Sequence, residues 1–162
     1  MKPLLIKLRN IGPFVNEQID FSKLENMFLI TGNTGAGKTF IFDAMTFALF
    51  GSVCASRGEE SNQLRSKYTD VKDDSEAFVE FSFESAGKIY RVNRTLSYKY
   101  INKNNKEAIK DSVVVFEQYN TEQKSFISFD EQKSQIDARI QSIIGLKKDE
   151  FSKIILLPQG AF

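Results

Sequence analysis

The sequence predicts an α/β fold, and three observations lead there. A short apolar run, Met27-Phe28-Leu29-Ile30, enters a glycine-rich loop, and a segment of helical spacing leaves it. Further along, stretches of alternating apolar and polar residues come in pairs, as antiparallel strands do. Towards the end, apolar residues return at helical spacing. With 162 residues, 41% hydrophobic and 27% charged, the chain can bury one core, so a single domain over 1–162 is expected.

Taken in order, Leu4 to Ile11 reads as a strand, with Leu4, Ile6 and Leu8 on one face and Leu5, Lys7 and Arg9 on the other. Gly12-Pro13 breaks it, and Gln18–Phe21 resumes extended. Met27–Ile30 has the length of a buried central strand. From Lys38 to Phe50, the spacing of Phe40, Ile41, Ala44, Met45, Phe47, Ala48 and Leu49 predicts a helix that Gly51 stops. Ser52 to Ser75 is polar and reads as a surface excursion. Ala77–Phe83, a Ser85-Ala86-Gly87 turn and Lys88–Leu96 predict a hairpin. Tyr98–Lys110, rich in Lys and Asn, reads as an exposed tip or loop, and Val113–Tyr119 as another strand. Ile136, Ile140, Ile143 and Ile144 predict a helix over Glu131–Ile144 that ends at Gly145. A second helix starts at Lys148, runs to Leu157 and is cut by Pro158. The chain stops at Phe162, directly after that turn, so further chain is expected beyond it.

Composition narrows the chemistry. The net charge is +1, so no global field draws the protein to nucleic acid or to a membrane, and any DNA contact needs a local patch. The single cysteine, Cys54, cannot form an internal disulfide and reads as a small core filler in a reducing cytoplasm. With one cysteine and no histidine, zinc sites and histidine acid–base chemistry are excluded. The N-terminus has no signal-peptide pattern, and no apolar run approaches the ~20 residues of a membrane span. A cytoplasmic protein without membrane contact is expected.

Gly32-Asn33-Thr34-Gly35-Ala36-Gly37-Lys38-Thr39 matches the phosphate-loop pattern G-x-x-x-x-G-K-S/T in full, and it stands between the expected strand and helix. Glycines 32, 35 and 37 permit positive φ and close approach to phosphates. The loop N–H groups then form an anion nest to which the helix N-terminus adds positive charge. Asn33 through Thr39 are the expected nucleotide-binding residues. Lys38 is expected to reach the β- and γ-phosphates, and the Thr39 hydroxyl to ligate Mg²⁺. The loop alone does not choose the nucleotide. A guanine-reading Asn-Lys-x-Asp is missing, because Asn102-Lys103-Asn104-Asn105 and Asn105-Lys106-Glu107-Ala108 lack the Asp. Arg57 and Arg65 come with no lid pattern of a small-molecule kinase. At the other end, Pro158 and Gly160 present Gln159 on a turn after Ile154–Leu157. A carboxamide there can meet a Mg²⁺-bound or attacking water, or the stretch can be a simple turn.

Three stretches resemble the SMC-like ATPases: Leu4-Leu5-Ile6-Lys7-Leu8-Arg9-Asn10-Ile11-Gly12-Pro13-Phe14, Ile19-Asp20-Phe21, and a phosphate loop within ~40 residues of Met1. The closing Leu156-Leu157-Pro158-Gln159-Gly160-Ala161-Phe162 is similar to the Q-loop of the SbcC-type exonuclease subunit. The hairpin ending Ile89-Tyr90-Arg91-Val92-Asn93-Arg94 fits the same head lobe, so the resemblance spans the chain.

That resemblance implies a phosphate-loop NTPase fold, the first lobe of an ABC-type ATPase head with an added antiparallel β-layer. It implies ATP and Mg²⁺ as ligands, Lys38 and Gln159 as catalytic-site residues, and Thr39 and Gln159 at the metal. As partners it implies the C-terminal half of the same head, a second head in a homodimer, an SbcD-type nuclease subunit and double-stranded DNA. The implied role is the ATP-binding half of the ATPase in an ATP-dependent double-strand DNA exonuclease of repair and recombination. The alternative is an SMC-, RecF- or RecN-type clamp or loader without a nuclease, and the Leu-Pro-Gln-Gly-Ala-Phe string favours the exonuclease subunit. An unrelated phosphate-loop kinase is the third reading.

The family's coiled coil, signature motif and Walker B are not visible. Val113-Val114-Val115-Phe116-Glu117-Gln118 resembles a Walker B only in outline and reads as a plain strand. This chain is therefore expected to bind ATP and hardly hydrolyse it. Some relatives place a nucleotide-contacting basic residue where Gly12 stands, so no role is carried to Gly12; Arg9 reads as an exposed strand residue or a nucleotide contact. For DNA, the candidates are Tyr98, Lys99, Tyr100, Lys103, Lys106 and Lys110, with Arg65 and Lys67 weaker. A solvated hairpin tip is the competing reading.

Overall fold

The computed structural model describes residues 1–25, 28–53, 64–68, 76–101 and 104–154. Alternation builds the first strand, β1 (Lys2–Ile11), which buries Ile6 and Leu8 and turns Arg9 outward. The Gly12-Pro13 turn returns the chain as β2 (Phe14–Asp20), paired antiparallel with Ile11 opposite Phe14 and Leu5 opposite Asp20. Helix α1 (Lys38–Phe50) matches the sequence expectation, and Gly51 closes it in the left-handed conformation.

The expected hairpin is β3 (Phe78–Ser85) and β4 (Lys88–Thr95), with Phe83 opposite Tyr90. A short ribbon, β5 (Tyr98–Ile101) and β6 (Glu107–Lys110), follows. Then come β7 (Val114–Asn120), β8 (Ser125–Ser128), α2 (Lys133–Ile144) and α3 (Lys148–Ile154). No helix among the described residues is long and apolar enough to cross a membrane.

Six strands form one sheet in the order β2-β1-β3-β4-β7-β8, and β5-β6 stand apart as a pair. Helix α1 packs on β1, β3 and β4, α2 on β7 and α1, and α3 on α1. The core lies between, where Ile6, Leu8, Val79, Phe81, Val92 and Phe116 meet Ile41, Ala44, Ala48 and Leu49 of α1 and Ile136 and Ile140 of α2. An aromatic row crosses the sheet: Phe83 and Tyr90 lie 5.6 Å apart, Tyr90 and Phe116 5.6 Å, and Phe116 and Phe129 5.2 Å. A ring fully buried, as those of Phe83 and Phe116 are, contributes about 2–3 kcal/mol.

Three elements differ from expectation. Phe28–Ile30 forms no strand, and Leu29 is 84% exposed. Every strand pairing described is antiparallel, so no parallel neighbour offers this run a ladder. Tyr98–Ile101 and Glu107–Lys110 pair as a ribbon where a tip or loop was expected, and the buried Tyr98 anchors it. Strand β8 was not expected. The Asn120 carboxamide accepts from the Glu122 and Gln123 N–H groups and folds the chain back, which lets four residues pair. The expected helix beyond Ile154, Met27, Cys54 and most of the polar excursion lie outside the described residues.

Candidate nucleotide site

Helix α1 starts at Lys38 with Gly37 as its cap, at φ 88°. A glycine brings no side chain to accept from the first N–H groups, and the first turn holds no acid. The positive end of the helix is therefore left for an anion from outside. Gly32, at φ 157°, and Gly35, at φ 85°, both bear out the positive φ expected of them. Residues 31–36 are exposed, so Asn33, Thr34, Gly35 and Ala36 stand open to solvent. The Ala36 N–H donates to the Asn33 carbonyl at 3.2 Å and closes the turn.

Lys38 Nζ donates to the Gly32 carbonyl at 2.7 Å and to the Asn33 carbonyl at 2.8 Å. The ammonium thus sits over the loop that a phosphate would enter. Thr39 follows on α1 and is exposed, so its hydroxyl is free to reach a metal. Among the described residues no group of three or more Asp, Glu, Cys or His side chains could hold a metal ion. A Mg²⁺ ion held mainly by phosphates and water, with one hydroxyl from the protein, suits such a site. Gln159, expected beside it, lies outside the described residues.

Other candidates sort by position. Arg9 projects from the sheet face opposite the buried Ile6 and Leu8, away from α1, and stays an exposed strand residue. Glu117 Oε2 accepts from Arg91 Nε at 2.6 Å, and this raises the Arg91 pKa above its ordinary value; the carboxylate is a ladder partner on the sheet. The guanidinium also covers the Phe126 ring at 4.0 Å. In the ribbon, Tyr98 is buried with Arg65 stacked on its ring at 4.2 Å and Lys110 at 5.9 Å. Its face is already taken. Lys99 pairs loosely with Glu107 at 3.9 Å, Lys67 and Lys106 are exposed, and Lys103 and Arg57 lie outside the described residues.

Sequence reasoning missed one residue that shapes the site's scaffold. Arg94 is fully buried, donates from Nε to the Ala48 carbonyl at 3.0 Å, and pairs through Nη2 with Asp137 at 2.6 Å. It satisfies the C-terminal end of α1 from a distant strand, where that helix has no base of its own. No local pattern signals it, because the three segments meet only in the fold.

The sequence model of the AAA domain matches residues 5–162 of this chain. The chain belongs to the AAA domain family. It is also 41% identical over 167 aligned residues to the SbcC subunit of the SbcCD nuclease of Staphylococcus aureus strain MRSA252, and equally so to that of strain JH9. Each alignment covers 100% of this chain and 16% of the relative, so the chain spans about a sixth of the relatives' length. A solved structure from work on ATP-driven dimerization and DNA-stimulated activation of SMC ATPases shares the fold, with a TM-score of 0.56 at 17% identity. That likeness covers 98% of this chain and 93% of the other. The expected resemblance to SMC-like, SbcC-type ATPases along the whole chain is borne out, and the α/β head fold with its antiparallel layer stands.

Proposed function

We propose that this chain is the ATP-binding, N-terminal half of the ATPase head of an SbcC-type subunit, acting in an ATP-dependent double-strand DNA nuclease of repair and recombination. The observation that carries this reading is the phosphate loop, an exposed turn at an uncapped helix N-terminus with the Lys38 ammonium beside it. The whole-chain likeness to the SbcC subunit of the SbcCD nuclease supports the rest.

In this reading the N–H groups of Asn33 to Thr39 and the Lys38 ammonium bind the phosphates of ATP. Thr39 and Gln159 hold Mg²⁺, which when bound neutralises charge on the phosphates. The C-terminal half of the head supplies the Walker B acid and the general base, and a second head in a homodimer supplies the signature motif. An SbcD-type nuclease subunit and double-stranded DNA complete the complex, in the cytoplasm. Phe28 and Leu29 favour a docked second half, since they stand exposed directly before the loop with no strand partner among the described residues.

The test is nucleotide binding by calorimetry, with Mg²⁺. The chain should bind ATP, and Lys38→Ala should weaken binding about 10- to 100-fold, as the loss of a charge-assisted contact of about 1.5–3 kcal/mol requires. Equal binding by both proteins would refute the assignment of the loop.

A further inference from the structure

The β1–β2 turn and the start of α1 interlock at two glycines. Gly37, at φ 88°, is the buried residue of the loop. A Cβ on it would overlap Pro13 Cγ and come within 2.9 Å of Phe14 Cζ. In the other direction, Gly12 sits at φ 53°, and a Cβ there would come within 2.5 Å of Phe40 Cδ1, on the first turn of α1. The cap glycine of the helix thus receives two side chains from the turn, and the glycine of the turn receives one from the helix.

The turn is itself braced. The Gly12 N–H donates to the Leu64 carbonyl at 2.7 Å, and the Ser66 N–H donates to the Asn10 carbonyl at 2.8 Å. Residues 31–36, by contrast, are exposed. The packed anchor of the phosphate loop is its Gly37 end.

We propose that Pro13 and Phe14 are positioning residues for the phosphate loop, wedging Gly37 in the left-handed conformation that aims the first N–H groups of α1 and Lys38 at a phosphate. Glycine visits both signs of φ freely. Without the wedge, Gly37 populates conformations in which the nest is misaligned. Apparent affinity then falls in proportion to the binding-competent fraction, so a fraction near a tenth weakens binding about tenfold. This inference rests on the phosphate-binding reading of the loop.

The test measures dissociation constants of the chain for Mg²⁺·ATP and for inorganic pyrophosphate, well below the melting temperature of every variant. Phe14→Ala should weaken both ligands about tenfold and alike, because the loop reads phosphate and not the nucleoside. Phe14→Leu, which still fills the space over Gly37, should stay within about 1.5-fold of the parent. That rescue separates positioning from a general loss of packing. If Phe14→Ala does not fold, Pro13→Ala makes the same comparison, with about threefold weakening expected for both ligands. Parent-like affinity in Phe14→Ala, or in Pro13→Ala where that variant stands in, overturns the wedge. So does a loss for ATP that spares pyrophosphate, which would mean a direct contact to the nucleoside. A parent that binds neither ligand overturns the phosphate-loop reading and the wedge with it.

Discussion

Arg94 has no exposed surface, yet the carboxylate that answers it, Asp137, is 37% exposed. The two ends of this pair should therefore not be equivalent. Asp137→Ala leaves a buried guanidinium without its counter-charge and should cost about 3–5 kcal/mol in urea unfolding. Arg94→Met removes the charge with it, keeps most of the volume, and should cost less. The reverse order would show that packing and not charge burial decides the site. Glu131 gives a prediction with a pH sign. The hydrogen bonds from Arg139 lower its pKa below the ordinary 4.5. Its contribution is present above the unfolded pKa and is lost as pH falls through the lower folded value. The parent should thus lose stability to acid below about pH 4.5 more steeply than Glu131→Gln, as followed by thermal melting. The positive-φ glycines at 32, 35 and 37 and the helix start at Lys38 were legible in the sequence because a phosphate-loop pattern fixes their spacing. Arg94, Phe14 and Pro13 were not, since their partners lie in other elements.

At the scale of elements, the β3–β4 hairpin shows how much a short pattern can say. Its alternation and its Ala86-Gly87 turn both appear in the sequence, and the turn closes with both residues at positive φ, 50° and 74°. That geometry matches the twist of the strands but strains an alanine by about 1 kcal/mol. Ala86→Asn, which tolerates the left-handed region, should raise stability by about 0.5–1 kcal/mol, seen as a higher melting temperature. An unchanged or lower melting temperature would show the strain to be relieved elsewhere. The ribbon β5–β6 was hidden by its Lys and Asn content, which outweighed the alternation of Tyr98 and Tyr100. Phe28–Ile30 failed in the opposite way: apolar composition alone reads as a buried strand, but a strand needs a neighbour to pair with, and none described lies alongside.

For the molecule as a whole, periodicity made the fold class legible: helices at 38–50 and 133–144, and antiparallel strands between. The strand order was not, because the pairing of β1 with β3 and of β4 with β7 spans segments that carry no local sign of each other. At this scale the proposed function divides one active site between this chain and a separate stretch of chain. The exposed loop at 31–36 and the exposed Phe28 and Leu29 just before it fit that proposal. Steady-state ATP turnover tests it most directly, with this chain alone, with Lys38→Ala, and with the C-terminal half of the head added. The chain alone should be inert, with turnover that appears only on adding that half and that Lys38→Ala abolishes. Turnover by the chain alone that Lys38→Ala removes would contradict it, and would mean that these 162 residues hold a complete active site.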